Sequence, residues 1–79
     1  MSKRLPALKP REVITALKRD GWYEHHQRGS HLAMRHPEKQ GQVTIPIHAG
    51  RDVHPTTLKF ILRQADLTES DFLKLAKRR

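Results

Sequence analysis

The sequence predicts an α+β domain, a three-stranded antiparallel sheet with helices on one face, and three observations carry the prediction. Val13, Ile14 and Leu17 recur at helical spacing near the start of the chain. Leu58, Ile61, Leu62 and Ala65 recur at the same spacing further on. Between them, residues 22–48 change to a period of two, interrupted at Gly29-Ser30 and again from Pro37 to Gly41. Strands bunched between helices, rather than alternating with them, give an antiparallel sheet with its helices on one side and its other face open.

Residues 1–9 hold three cations and a proline without sustained periodicity, which reads as a loosely held basic arm ahead of a single domain over 10–79. Pro10 suits the first turn of a helix, where its missing N–H is no loss, and Asp20-Gly21 supplies the stop, so the first helix is expected over 10–19. Trp22 to Arg28 reads as a strand with Trp22 buried and the rest open. Simple alternation puts Trp22, Glu24 and His26 on one side and Tyr23, His25 and Gln27 on the other. Gly29-Ser30 turns the chain into a second strand over 31–36, with Leu32 and Met34 inward and His31, Ala33 and Arg35 outward.

Val43, Ile45 and Ile47 alternate with Thr44, Pro46 and His48 in a third strand. Pro46 marks it as an edge strand or the strand's end, since proline gives no N–H to the ladder. A loop over 48–54 leads to Pro55, which opens the most regular helix of the chain. Asp66-Leu67 breaks it, and Thr68 followed three residues later by Asp71 resembles an N-cap arrangement for a last helix through Phe72 and Leu75. The expected core is Val13, Ile14, Leu17, Leu58, Ile61, Leu62 and Phe72.

A chain of 79 residues makes one domain with a small core. Sixteen Lys and Arg against eight Asp and Glu leave a net charge of +8, so the natural partner is a polyanion. Nucleic acid leads, because cations gain affinity by displacing counterions from phosphates, and an acidic protein would satisfy the same charge. No apolar run approaches the roughly 20 residues needed to span a bilayer, so no membrane is expected. The absence of cysteine excludes disulfides and thiolate metal sites and suits the cytoplasm, as does an N-terminus with no apolar signal region.

The chemistry is expected at Arg28-Gly29-Ser30-His31 and the strand that follows. An outward imidazole beside a permanent cation is suited to moving a proton near a phosphate, whereas the plainer reading is a surface histidine bonded to the turn. His48 would share the sheet face of His31, and Arg35 would steady a phosphate. For these two the plainer reading, a solvated side chain, is the stronger one, and Ser30 reads as a turn residue rather than a nucleophile. Lys18, Arg19, Arg28, Arg35, Lys39, Arg51, Lys59 and Arg63 are candidate RNA contacts. The six histidines lack metal-ligand spacing, with no His-Glu-x-x-His, so neither metal nor cofactor is expected.

Several of these stretches together resemble one family. They are Gly21-Trp22, Gln27-Arg28-Gly29-Ser30-His31, Arg35-His36-Pro37, Val43-Thr44-Ile45-Pro46, Thr57-Leu58-Lys59-Phe60-Ile61-Leu62-Arg63-Gln64-Ala65 and Leu67-Thr68. From residue 10 onward the chain is similar to the HicA family, small toxins of bacterial and archaeal toxin-antitoxin pairs that cleave mRNA. The resemblance implies a double-stranded-RNA-binding-like fold, ribonuclease activity and a catalytic histidine matching His31. It also implies an antitoxin of the HicB family that masks the site, with the toxin a monomer when free. The chain departs from the family pattern at His26, where an arginine commonly precedes the glutamine, and at Thr56 and Asp66, where glycines are common. The other reading is a nucleic-acid-binding module without chemistry.

Overall fold

A computed structural model describes residues 5–48 and 50–77. The order of elements is α1 (Pro10–Arg19), β1 (Tyr23–Arg28), β2 (His31–Arg35), β3 (Val43–Pro46), α2 (Pro55–Ala65) and α3 (Glu69–Lys77). This is the expected α+β layout, a three-stranded antiparallel sheet in the order β1-β2-β3 with three helices.

α1 begins at Pro10, and the Lys9 N–H donates to the Glu12 carboxylate at 2.9 Å, holding the first turn. Val13, Ala16 and Leu17 form its buried stripe. Ile14 is only half buried, because it lies at the side of α1 that faces Glu24 and Ile47 across an open groove. α2 is capped by His54, whose Nδ1 accepts the Thr56 N–H at 3.1 Å. Thr68 Oγ1 accepts the Asp71 N–H at 3.0 Å, the cap anticipated for α3.

Leu32, Met34, Val43 and Ile45 point from the sheet into the core, where they meet Val13, Leu17, Leu58, Ile61, Leu62, Trp22 and Phe72. Trp22 is 2% exposed, while every residue of β1 is exposed. The arm expected over 1–9 is docked rather than loose from Leu5 on, and residues 1–4 lie outside the described residues. Leu5 is buried in the core cluster, and the Leu8 carbonyl accepts the Val53 N–H at 2.6 Å. A small core recruits apolar surface wherever the chain offers it, since burial contributes about 25 cal/mol per Å².

The β1–β2 ladder contains one irregularity, a bulge between Glu24 and His26. An extra residue in one strand inverts the facing of whatever follows it. His26 therefore pairs with Ala33 and Arg28 with His31, and both leave the side on which strict alternation from Trp22 would put them.

Candidate functional site

The face of the sheet away from the core is built from alternate residues of all three strands. His31 pairs with Arg28 on one side and Pro46 on the other, while Ala33 pairs with His26 and Thr44. Directly opposed residues in an antiparallel sheet share a face, so these side chains stand together. They enclose a groove of about 350 Å³ lined by His26, Arg28, His31, Ala33, Gln42 and Thr44. Ala33 is the floor, 9% exposed and excluded from the core cluster behind it. A small side chain at the centre of the sheet is what makes the face concave.

His31 is exposed, opens β2 immediately after the Gly29-Ser30 turn, and its ring has no hydrogen-bond partner among the described residues. The charged side chain in the groove lining is the guanidinium of Arg28, and among the described residues no carboxylate lines it. The site is thus an imidazole pair and an arginine around a neutral floor, suited to holding a phosphodiester and moving protons beside it.

The remaining candidates divide. Arg35 lies on the same face, one pair beyond Ala33 and opposite Tyr23, but outside the groove lining. Ser30 is a half-buried turn residue whose carbonyl accepts the Ile47 N–H at 2.6 Å. His48 is exposed beyond the end of β3, because the strand stops at Pro46, and it does not line the groove. Lys39 is engaged elsewhere: its ammonium lies 2.7 Å from Asp20 Oδ2 and 2.9 Å from the Ala65 carbonyl. Lys18 pairs with Glu24 at 2.6 Å, and the Arg19 guanidinium donates to the Leu75 carbonyl. Lys59 and Arg63 stand on the outer side of α2 with Phe60, the Arg63 guanidinium 5.9 Å from the Phe60 ring centre, apart from the groove.

His26, Gln42 and Thr44 line the groove without being among the residues expected there from the sequence. Thr44 follows from the β2–β3 register, which pairs it with Ala33, and Gln42 joins the lining from the residue just before β3. For His26 the only sequence signal was that it stands where the HicA pattern commonly has an arginine.

His36 has a structural task, as His54 has at the cap of α2. His36 Nε2 donates to the Asp20 carbonyl at 2.7 Å, and its Nδ1 accepts the N–H groups of Glu38 and Lys39 at 3.0 and 3.1 Å. Those partners require the neutral ring with its proton on Nε2. Among the described residues no group of three or more His, Cys, Asp or Glu side chains is arranged to hold a metal ion, and no helix is long and apolar enough to cross a membrane.

Fold and groove together define a class of protein: a small cationic α+β domain that presents imidazoles and an arginine on the open face of its sheet. Residues 10–67 match the family model described as HicA toxin of bacterial toxin-antitoxin. The chain belongs to the HicA toxin family, and is the toxin member of a pair whose other member is its antitoxin. A search among curated proteins finds no match.

Proposed function

We infer that this toxin is a metal-independent endoribonuclease that cuts mRNA in the groove over Ala33, with His31 transferring a proton at the scissile phosphate. The observation that carries this reading is the setting of His31: an exposed imidazole, unengaged among the described residues, at the head of a groove whose lining is cationic and free of carboxylates. The ribose 2′-oxygen attacks phosphorus as the bond to the 5′-oxygen breaks. A neutral imidazole takes the 2′ proton, or an imidazolium protonates the leaving oxygen, and such transfer is worth about 10² to 10⁴ in rate. Arg28, directly opposite His31, holds the phosphate oxygens, and Arg35 carries the strand onward along the same face.

A net charge of +8 brings the RNA to this surface, and a HicB-type antitoxin neutralises the toxin by covering the groove in a hetero-oligomer. Expression of wild type and His31→Ala without antitoxin, followed by growth and RNA integrity, tests the reading. Growth arrest and RNA cleavage by the wild type, undiminished by chelator and lost in the variant, are expected. Cleavage by the variant at the wild-type rate removes the assignment. RNA binding by both proteins with cleavage by neither makes the domain a binding module.

A further inference from the structure

We propose that His26 is the second proton-transfer group of the groove, working with His31 on the two sides of one scissile phosphate. This rests on the reading of His31 above and extends it to a position where the family pattern commonly has an arginine.

The bulge in β1 decides which face His26 occupies. Without it, His26 would share a face with Trp22 and Glu24; with it, His26 stands opposite Ala33 on the face of His31. Bulges of this kind re-aim a side chain, and here the side chain re-aimed is an imidazole, brought into the groove lining. The spacing of the two histidines suits the task. His26 pairs with Ala33 and His31 with Arg28, so the two histidines are diagonal neighbours across the ladder. Such positions are separated by about 7 to 8 Å, room for a phosphodiester between two rings. Ala33 keeps that space clear.

His36 and His54 have ring nitrogens committed to backbone partners. His26 and His31 have none among the described residues. Around His26 the ionisable groups are Arg28 two residues on in its own strand, His31 on β2, and His25 at the bulge; the β3 side contributes neutral Gln42 and Thr44. Glu24 is drawn away to Lys18 on the opposite face. No carboxylate lining the groove is at hand to accept the proton, and arginine does not release one.

Two imidazoles complete the step. One, neutral, takes the proton from the 2′-hydroxyl as its oxygen bonds to phosphorus. The other, protonated, gives its proton to the 5′-oxygen as the P–O5′ bond breaks. The products are a 2′,3′-cyclic phosphate and a 5′-hydroxyl, and the two rings have exchanged protonation states. No co-reactant is consumed.

The test compares full-length wild type, His26→Gln, His26→Arg and His31→Ala on a single-stranded RNA oligonucleotide, reading kcat and KM across pH, with circular dichroism confirming the fold. The wild type should show a rate that falls on both sides of an optimum. His26→Gln should lose about 10² to 10⁴ in kcat with little change in KM, and keep only one limb of that profile. His26→Arg should be as impaired as His26→Gln, since it binds phosphate but transfers no proton. A His26→Gln or His26→Arg enzyme with the wild-type kcat and both limbs, beside an inactive His31→Ala, overturns the role of His26 and leaves that of His31 standing. Full activity in His31→Ala overturns both.

Discussion

Lys39 and Asp20 meet 2.7 Å apart, Nζ to Oδ2, and their contact ties the loop after β2 to the end of α1. The same carboxylate oxygen accepts the Trp22 indole N–H at 3.1 Å, and the Lys39 ammonium also reaches the Ala65 carbonyl at the end of α2. One cation thus joins three parts of the fold at a half-buried point. Lys39→Met is expected to lower stability by about 1 to 3 kcal/mol, read as an earlier thermal midpoint. RNA affinity measured below that midpoint should change no more than for removal of a remote charge.

Two histidines of one hairpin should respond in opposite ways. His36→Ala removes three backbone partners and the edge-on contact with Trp22, whose ring centre lies 5.2 Å away. Gly21→Ala strikes the same place from the other side, because Gly21 has φ +106° and an added Cβ would lie 2.6 Å from His36 Nε2. Each is expected to cost about 2 to 4 kcal/mol in urea denaturation. His31→Ala, on an exposed ring with no partner among the described residues, should stay within about 0.5 kcal/mol of wild type.

Filling the groove should weaken RNA binding without removing either imidazole. Ala33→Leu places a large side chain between His26, His31 and Thr44. At least a tenfold loss of RNA affinity, about 1.4 kcal/mol, is expected by titration with a labelled oligonucleotide, with the fold retained.

Salt dependence should sort the cations. Arg28→Gln and Arg35→Gln on the open sheet face should each flatten the slope of log affinity against log salt by about 0.7 for a single strand. Lys18→Gln and Lys39→Gln, whose ammonium groups are held by Glu24 and Asp20, should leave the slope nearly unchanged.

Asp66 occupies the left-handed conformation at the end of α2, φ 57° and ψ 46°, where glycine carries no Cβ penalty. Asp66→Gly is expected to raise stability by about 0.5 to 1 kcal/mol, a shift of roughly 2 to 8 °C in thermal midpoint. An unchanged or lower midpoint would show that the aspartate side chain stabilises this turn in another way.

The element order, the burial of Trp22, the hairpin at Gly29-Ser30 and the place of Pro46 on an edge strand or at a strand's end were legible in the sequence. They depend on local chemistry: periodicity, turn residues, a missing N–H. So was the outward facing of His31, because Leu32 and Met34 leave it no other side. The docking of Leu5 and Leu8 was not legible, since it depends on what the rest of the core leaves exposed. Nor was the engagement of Lys39, whose partners Asp20 and Ala65 are distant in the chain.

The amino-acid order alone determined that this chain builds a basic sheet face headed by an imidazole, because side-chain alternation and charge are properties of neighbouring residues. Only tertiary structure decided what stands beside that imidazole. A single extra residue in β1 turned His26 toward Ala33, and cross-strand register brought Arg28 and Thr44 around the same hollow, with Gln42 beside them. Register depends on how strands pair in space, and a one-residue slip exchanges the two faces of everything beyond it.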